Sequence, residues 1–414
     1  MKRLVKPSAV SGTVQAPASK SVAQRAIALA AMARGRSEIL NAGTGEDCLA
    51  AVRVCKDLGA SVEIDNDRIA INGGLKLPIQ PLNCGESGLG IRMFSSMAST
   101  LSGEVVLTGE GTLKRRPMQM LADALTQAGV ECSTANGYLP IRVKGPMKGG
   151  LISVDGSLSS QVLTGLLLAS PMALSDVTIQ ANNLKSTPYV KLTIDMMRSF
   201  GVDVENIDDT QFRVKAPGQY IPCRYSVEGD WSGAAFLLVA GAIAGEVEVT
   251  NLNPLSLQAD REIVNALIWC GAYVSIRENS ILVRREGLNG FHFDATHCPD
   301  LFPPLVALAS HCKGESRILG VSRLKVKESD RGAALMEEYS KMGIGIAIQD
   351  DLMIIRGGKP KAACVQSHGD HRIAMSCAVA ALAGEGEVEI DHAEAVGKSY
   401  PEFFTDIQRI TGDL

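Results

Sequence analysis

Two short patterns recur along the whole chain at intervals of about 70 residues, and they restrict the fold more than any other feature of the sequence. The first pattern places a glycine between the end of a helical stretch and a short β-branched stretch. A residue in the left-handed conformation commonly ends a helix, and glycine takes that conformation most easily. The pattern occurs as LGASVEI (58–64), AGVECST (128–134), FGVDVEN (200–206), CGAYVSI (270–276) and MGIGIAI (342–348).

The second pattern is an alternating, β-branched stretch that follows an apolar helical run, as expected for a half-buried strand. It occurs as GRSEILNA (35–42), SGEVVLTG (102–109), SDVTIQAN (175–182), GEVEVTNL (245–252), GESRILGV (314–321) and GEVEIDHA (386–393). We therefore predict six copies of one unit: strand, buried helix, strand, amphipathic helix, then strands. The period exceeds that of common solenoids, so each copy should be close to a small subdomain. Two groups of three copies would give two similar domains. The alternative is an ordinary α/β chain whose segments are similar by chance.

The charge and cysteine content exclude several classes of function. The 414 residues include 41 Lys and Arg against 45 Asp and Glu, a formal net charge of −4, so no overall basic field would attract nucleic acid. The ten cysteines contain no CxxC pair, and His297–Cys298 and His311–Cys312 fit no standard metal-site spacing. Neither a P-loop nor a GxGxxG fingerprint is present. We expect reduced thiols, no metal and no cofactor. Without an apolar run long enough to span a bilayer, we also expect no membrane association and a cytoplasmic location.

Each apolar helix is predicted to begin at a polar or ionic segment. These segments are SKSVAQR (19–25), ESGLGIR (86–92), SLSSQ (157–161), EGDWSG (228–233), CPDLFP (298–303) and GDHRIAM (369–375). The free N–H groups and the dipole of a helix N-terminus favour anions. Several converging starts, with Lys20, Arg25, Arg92 and Arg372 among them, would bind a multiply charged anion. Taken singly, Ser19 or Asp370 is more often a simple N-cap.

The loops after the second strand of several copies carry further charge. They include TLKRRPM (112–118), KSTPYV (185–190), LKVKESDR (324–331) and AVGKSYPEF (395–403). On a helix, Lys327 and Arg331 would be i,i+4 and Glu328 and Arg331 i,i+3, so the three would share one face. That arrangement suits a site where cations bind an anionic substrate and a carboxylate transfers a proton. The alternative interpretation is a solvated helix face with routine ion pairs.

Six segments together resemble the motifs of the 5-enolpyruvylshikimate-3-phosphate (EPSP) synthase family, in the family's order and spacing. They are SKSVAQR, LKRRP, DGSLSSQ, STPYV, KVKESDR and DHRIAM. The resemblance implies an α/β fold class: a two-domain inverted α/β barrel-like fold of six βαβαββ repeats, three per domain. It also implies that the chain crosses between the domains near Ser19–Lys20 and Glu228–Gly229. The predicted domains are 1–19 with 229–414, carrying repeats four to six, and an inserted domain 20–228, carrying repeats one to three.

The resemblance further implies a transferase reaction of the shikimate pathway to chorismate and the aromatic amino acids. The enolpyruvyl group of phosphoenolpyruvate moves to the 5-hydroxyl of shikimate 3-phosphate, and phosphate is released. Carried over by motif, the phosphoenolpyruvate residues would be Lys20, Gly88, Arg116, Gln161, Arg331, Arg372 and Lys398. The shikimate 3-phosphate residues would be Ser21, Arg25, Ser159, Ser160, Gln161, Ser186, Tyr189, Asp300 and Lys327. The catalytic candidates are Lys20, Asp300, Glu328 and His371.

Among these candidates, Asp300 is expected to take the proton of the attacking hydroxyl. Glu328 and Lys20 are the candidates for proton exchange at the methylene carbon, and their relative contributions stay open. His371 is expected to support the phosphate, with a structural histidine at a helix start as the alternative. The expected partners are the two small-molecule substrates, bound by a monomeric chain.

Two departures from the family pattern affect the predicted contacts. Where the family usually has Asn-Ala-Gly-Thr, the chain has Glu86-Ser87-Gly88-Leu89, and where many members have Asn the chain has Arg323. We expect the Glu86 carboxylate to turn toward a cation such as Arg116.

Two other functions remain as alternatives. The enzymes that transfer enolpyruvyl to UDP-N-acetylglucosamine usually carry a cysteine where this chain has Gly111, and Asn where it has Ser21. A non-catalytic scaffold that binds anions or RNA would have no use for the carboxylates of Asp300 and Glu328.

Overall fold

The structure is a computed structural model that describes residues 1–157 and 159–412; Leu158, in the SLSSQ segment, lies outside the described residues. The helices of this part of the chain are α1 (Lys20–Met32), α2 (Glu46–Asp57), α3 (Gly88–Ala98), α4 (Gln119–Gln127), α5 (Gln161–Ala169), α6 (Thr187–Ser199), α7 (Trp231–Ala244), α8 (Ile263–Cys270), α9 (Phe302–Ala309), α10 (Arg331–Lys341), α11 (His371–Ala381) and α12 (Phe403–Thr411).

The first thirteen strands are β1 (Arg3–Val5), β2 (Val10–Gln15), β3 (Arg36–Leu40), β4 (Ser61–Asp65), β5 (Arg68–Asn72), β6 (Leu82–Asn83), β7 (Glu104–Thr108), β8 (Glu131–Ala135), β9 (Tyr138–Lys144), β10 (Gly150–Asp155), β11 (Val177–Asn182), β12 (Val204–Ile207) and β13 (Gln211–Val214). The remaining strands are β14 (Arg224–Ser226), β15 (Gly245–Thr250), β16 (Tyr273–Ile276), β17 (Ser280–Arg284), β18 (His292–Asp294), β19 (Glu315–Leu319), β20 (Gly345–Gln349), β21 (Leu352–Arg356), β22 (Ala363–Gln366) and β23 (Val388–Asp391).

The predicted repeat is visible in the sheets. In the part of the chain that the structure describes, five sheets have four strands and one has three. A representative sheet has the order β10-β11-β13-β12, with β10 and β11 parallel and the other pairs antiparallel. A parallel pair needs a helical crossover, whereas an antiparallel pair can close through a tight turn. This pairing is the βαβαββ unit that the sequence predicts.

Three repeats include a strand from a distant part of the chain. The number of repeats in the sequence did not reveal this pairing. Strand β2, near the amino terminus, pairs in parallel with β15 and so serves as the first strand of the fourth repeat. Strand β14 pairs in parallel with β3 and serves as the first strand of the first repeat. In the sixth repeat β1 pairs antiparallel with β23, giving the three-stranded sheet β1-β23-β22.

The chain divides into two compact units. One contains Met1–Ser19 and the chain from Glu228 onward, and the other contains Lys20–Val227. We refer to them as the outer unit and the inserted unit. Glu228, which the sequence analysis assigned to the inserted domain, belongs to the outer unit. Its backbone carbonyl accepts a hydrogen bond from the Ser19 N–H, and its side chain accepts one from Ser256 Oγ.

Each unit is built around helices that are buried on every side. All residues of α7 are buried, as are all of α3 and α11. A helix that is apolar all round can be stable only where other elements cover every face. The glycines of the first repeated pattern end helices as predicted: Gly59, Gly129, Gly201, Gly271 and Gly343 all have φ between +78° and +93°. Among the described helices, none combines the length and apolarity needed to cross a bilayer.

Candidate active site

In the outer unit, three cationic side chains contact the carboxylate of Asp300. Asp300 lies on a short 3-10 helix, Pro299–Leu301, directly before α9. Its Oδ1 accepts hydrogen bonds from Lys327 Nζ at 3.1 Å and from Arg331 Nη1 at 2.6 Å, and its Oδ2 lies 3.3 Å from Arg372 Nη2. The Asp300 side chain is still 25% exposed, so it is fixed in orientation and accessible to a ligand.

Arg331 connects Asp300 to two further carboxylates. Its Nε donates to Asp370 Oδ2 at 2.7 Å, and its Nη2 donates to Glu328 Oε2 at 2.6 Å. Burial disfavours the charge of this fully buried guanidinium, but the carboxylates of Asp370, Glu328 and Asp300 outweigh that effect and raise the pKa of Arg331 above its usual value. Arg331 is thus a permanent cation at the centre of the cluster.

The contacts of Lys327, Glu328 and Arg331 do not come from a shared helix face. Helix α10 begins only at Arg331, with Asp330 as its N-cap, and residues 324–329 form turns and bends. The i,i+3 and i,i+4 argument from sequence was therefore wrong in its geometry, although the three side chains do meet around Asp300 and Arg331. Burial lowers the pKa of Lys327, and Asp300 offsets part of that effect.

The start of α11 and the loop after β23 supply the remaining outer-unit residues. Asp370 caps α11 by accepting from the Arg372 N–H at 2.9 Å. His371 is fully buried, with Nδ1 3.7 Å from Asp370 Oδ1. Lys398 ends the 3-10 helix Ala393–Lys398, and its Nζ donates to the Gly369 carbonyl at 2.7 Å. Residues 369–370 therefore contact both the backbone of Arg372 and the side chain of Lys398.

In the inserted unit, the start of α1 supplies Lys20, Ser21 and Arg25. Lys20 Nζ lies 3.1 Å from Asp47 Oδ2. The Arg25 guanidinium is buried and donates to the Ser21 carbonyl at 2.7 Å and to Thr193 Oγ1 at 2.9 Å. Burial lowers the pKa of Arg25 to about 10. These contacts tie α1 to α6, which carries Thr193.

Helices α3 and α5 meet through a second buried arginine. Arg92 Nη1 donates to the Gly88 carbonyl at 2.8 Å and to Gln161 Oε1 at 3.0 Å. Arg116 follows the 3-10 helix Gly111–Arg115 and lies against Gly88. A Cβ at Gly88 would lie 2.1 Å from Arg116 Nη1, so only glycine leaves room for the guanidinium in this position.

Three of the predicted serine residues, Ser159, Ser160 and Ser186, lie at the starts of α5 and α6. Ser159 Oγ accepts from the Gln161 N–H at 3.2 Å, and Ser160 is the buried N-cap of α5. Ser186 caps α6 in the left-handed conformation, with φ of +54°, and Tyr189 follows in the first turn of that helix.

Glu86 has partners that the sequence analysis did not anticipate. Its Oε2 accepts hydrogen bonds from the Thr112 N–H at 2.9 Å and from Thr112 Oγ1 at 3.0 Å. These bonds connect the start of α3 to the loop that leads to Arg116. Leu89 is buried, and the Arg323 guanidinium donates to the Thr296 carbonyl at 2.6 Å.

The predicted residues are therefore divided between the two units. The inserted unit carries Lys20, Ser21, Arg25, Gly88, Arg116, Ser159, Ser160, Gln161, Ser186 and Tyr189, and the outer unit carries Asp300, Lys327, Glu328, Arg331, His371, Arg372 and Lys398. Sequence reasoning missed Asp47, Thr193 and Asp260, which contact or influence these residues. Asp47 and Thr193 lie on amphipathic helices without a distinctive motif, and Asp260 lies in a 3-10 helix before α8.

Asp260 is a fully buried carboxyl group near the Asp300 cluster. It accepts a hydrogen bond from Ser232 Oγ. Burial, reinforced by the negative charge of Asp300, raises the pKa of Asp260 from 3.8 to about 7. In the folded protein this group therefore retains its proton in a pH range where the unfolded chain has lost it.

This shift predicts a pH-dependent effect of Asp260→Asn on stability. A carboxyl whose pKa is raised by folding contributes stability that is present at low pH and is lost as the pH rises from about 4 to about 7. Asparagine resembles the protonated form, so the variant should match the wild type near pH 4 and become progressively more stable than it toward pH 7. Urea unfolding followed by tryptophan fluorescence at each pH measures the difference, because Trp231 and Trp269 both lie in the outer unit.

Asp391→Asn is the matched control for this experiment, because Asp391 also lies in the outer unit. Hydrogen bonds from the Gln366 side chain and the His392 N–H lower the pKa of Asp391, so the sign of its pH dependence is opposite and the variant should gain no stability toward pH 7. An Asp260→Asn effect that is constant from pH 4 to pH 7 would contradict a raised pKa.

Comparison with known proteins identifies the family. The model of the EPSP synthase (3-phosphoshikimate 1-carboxyvinyltransferase) family matches residues 4–407. The chain belongs to the EPSP synthase family. The family predicted from the six motifs is confirmed, and the match extends over nearly all of both units.

Curated relatives of this EPSP synthase family member have the same name as the family. A 3-phosphoshikimate 1-carboxyvinyltransferase of Methanocorpusculum labreanum is 39% identical, covering 100% of this chain and 99% of the relative. One of Clostridium perfringens is 36% identical, covering 100% of this chain and 99% of the relative. The chain is thus similar to complete transferases over its whole length.

Solved structures support the predicted two-domain α/β fold class. The EPSP synthase of Acinetobacter baumannii has a TM-score of 0.82 at 28% identity, covering 99% of this chain and 98% of that one. The enolpyruvyl transferase NikO of Streptomyces tendae has a TM-score of 0.79 at 17% identity, covering 99% of this chain and 97% of that one, and shows similarity of fold alone. The predicted fold class is confirmed.

Proposed function

We propose that the chain transfers the enolpyruvyl group of phosphoenolpyruvate to the 5-hydroxyl of shikimate 3-phosphate and releases phosphate. The observation that carries the proposal is full-length similarity to 3-phosphoshikimate 1-carboxyvinyltransferases, at 39% identity to one of them. The geometry supports it in one specific respect: the Asp300 carboxylate is accessible and oriented by three cations.

The reaction has two stages, and both require proton transfer at defined atoms. A proton adds to the methylene carbon of phosphoenolpyruvate while the 5-hydroxyl oxygen bonds to its C2 and loses a proton, giving a tetrahedral ketal phosphate. The C–O bond to phosphate then breaks, a proton leaves the methyl carbon, and the enol ether forms. Phosphate carries away the bonding electron pair. Proton donors, proton acceptors and fixed positive charge are the groups that such a sequence needs.

Asp300 is assigned the proton of the 5-hydroxyl, because its partly exposed carboxylate can accept a hydrogen bond in addition to those it makes. Glu328 and Lys20 are assigned the proton exchange at the methylene carbon. The Glu328 carboxylate is oriented by Arg331 and the Lys20 ammonium by Asp47. Buried His371 is assigned to the phosphate end of the site.

The anionic groups of phosphoenolpyruvate are assigned to the fixed cations. Its phosphate and carboxylate would be bound by Lys20, Arg116, Arg331, Arg372 and Lys398, with Gly88 and Gln161 completing the contacts. The buried guanidinium groups among these residues bind planar or tetrahedral oxyanions with little loss of side-chain entropy, because protein contacts already fix them.

Shikimate 3-phosphate is assigned to the serine-rich helix starts and their neighbours. The residues are Ser21, Arg25, Ser159, Ser160, Gln161, Ser186, Tyr189, Asp300 and Lys327. Hydroxyl groups and helix N-termini suit a phosphate, and Asp300 suits the ring hydroxyls. We also propose that the protein is monomeric and cytoplasmic. Its partners would be these two small molecules and no nucleic acid.

The decisive experiment measures phosphate release from phosphoenolpyruvate with each acceptor in turn. We expect turnover with shikimate 3-phosphate and none above background with UDP-N-acetylglucosamine. The reason is that the serine-rich residues assigned to shikimate 3-phosphate suit a small phosphorylated ring. Equal rates with the nucleotide sugar would favour the alternative enzyme that transfers enolpyruvyl to UDP-N-acetylglucosamine. Tight binding of both substrates without phosphate release would favour a scaffold.

A further inference from the structure

Helix α10 is attached to the segment Gln366–Asp370 at two points on one face. Its first residue, Arg331, binds Asp370. Seven residues later, about two helical turns along the same face, Glu338 binds the segment twice. Glu338 Oε1 lies 2.6 Å from His368 Nε2, and Oε2 accepts from the Gln366 N–H at 2.9 Å.

The Glu338 carboxylate is completely buried and depends on these contacts. Its side chain has no exposed surface, and Lys341 Nζ lies 2.9 Å from each of its oxygens. A buried carboxylate is tolerated only where cations and hydrogen-bond donors compensate for lost water. His368 and Gly369 form a turn within the segment. The side chain of His368, which is 29% exposed, contacts Glu338 directly.

The backbone of the turn is in an uncommon conformation. His368 has φ of +54° and Gly369 has φ of +67°. A non-glycine residue in the left-handed region costs free energy and persists where surrounding contacts determine it. The bond from His368 to Glu338 is such a contact, because it attaches the side chain of the strained residue to helix α10.

The same turn also contacts Lys398. The Gly369 carbonyl, next to His368, accepts the hydrogen bond from Lys398 Nζ at 2.7 Å. Arg331 is also bound by Asp300 and Glu328, which lie outside the turn. A change in the turn should move the carbonyl that accepts the hydrogen bond from Lys398.

We propose that Glu338 and His368 are positioning residues that fix the Gly369 carbonyl and, through it, the ammonium group of Lys398. The inference rests on the proposed function, in which Lys398 binds phosphoenolpyruvate. Neither residue is assigned to substrate. Their effect should appear as weaker use of phosphoenolpyruvate, with the use of shikimate 3-phosphate and the chemical steps largely preserved.

The test compares two substitutions of His368 in the full chain. Asparagine tolerates the left-handed conformation but is too short to reach Glu338, so His368→Asn should raise KM for phosphoenolpyruvate roughly 10-fold, the scale of one lost charge-assisted hydrogen bond. KM for shikimate 3-phosphate should stay within about 2-fold and kcat within about 3-fold. His368→Gln can place its amide nitrogen near the position of Nε2, and should restore most of the wild-type KM.

His392→Asn is the matched control. His392 has the same φ of +54°, but its imidazole lies 3.4 Å from the exposed Glu394 and is itself largely exposed. This variant should leave both KM values unchanged. If His368→Asn folds poorly, His368→Gly provides the same comparison, because glycine accepts the left-handed conformation without steric strain.

Three outcomes would overturn the positioning role: an unchanged KM for phosphoenolpyruvate, an equal rise of both KM values, or a glutamine variant as impaired as the asparagine variant. Measuring the wild type first separates this inference from the proposed function. Absence of wild-type turnover with shikimate 3-phosphate would remove both, whereas normal wild-type turnover with an unaffected His368→Asn variant would remove only the inference.

Discussion

Asp300→Asn is expected to lower kcat by at least about 100-fold, the usual scale for the loss of a proton-transfer group. Asparagine retains the shape of the side chain and an oxygen that can accept the bonds from Lys327 and Arg331, but it is not a base. The substitution also removes one negative charge from beside Lys327, Arg331 and Arg372. Since both substrates are anions, KM should not rise. A large loss of kcat without a rise in KM is therefore the expected signature.

Steady-state kinetics with both substrates varied would measure this effect. Asp176→Asn is a suitable control, because Asp176 is an exposed carboxylate paired with Lys215 on the inserted unit and should leave kcat and KM unchanged. A comparison with Glu328→Gln separates the two carboxylates. If Glu328→Gln abolished turnover while Asp300→Asn retained it within a few-fold, Asp300 would not be the base for the 5-hydroxyl.

Local chemistry explains why much of the fold could be predicted. Helix ends such as Gly129 and Gly343 require a left-handed residue, and the strands that follow them alternate between exposed and half-buried side chains, so both features are present in short stretches of sequence. The six-fold recurrence then determined the type of unit. The polar helix starts were also recognisable, because each interrupts an otherwise apolar run.

Features that depend on distant parts of the chain could not be predicted in the same way. Strand β14 pairs with β3, and β2 pairs with β15, across separations that leave no local signal. The same limit applies to the outer-unit cluster. Arg331 lies 31 residues from Asp300 and 39 from Asp370, and only the folded chain shows that all three meet. The prediction that Lys327 and Glu328 lie near Arg331 was made for the wrong reason, because it assumed a helix where the chain forms turns.

The contacts of Arg331 give the largest expected effect on stability. Arg331→Met keeps an unbranched apolar stem of similar reach and removes the guanidinium, leaving the fully buried Asp370 and the partly buried Glu328 and Asp300 without their shared cation. Removing one partner of a buried ion pair typically costs about 3–5 kcal/mol, because the remaining charge is desolvated and uncompensated. We expect the free energy of unfolding of the outer unit to fall by an amount in that range. Urea unfolding without substrate, followed by the fluorescence of Trp231 and Trp269, reports on that unit.

An arginine on the surface of the same unit tests whether burial is the cause. Arg317 Nε lies 2.8 Å from Glu315 Oε1, but the two side chains are 49% and 34% exposed, so Arg317→Met should cost no more than about 1 kcal/mol. Combining Arg331→Met with Asp370→Asn should recover part of the loss, because the double variant no longer buries the most enclosed unpaired carboxylate. An Arg331→Met effect as small as that of Arg317→Met would mean that water reaches the carboxylates once the guanidinium is gone. The backbone of residues 324–330 and 369–370, and not a buried cation, would then determine how the three carboxylates are arranged.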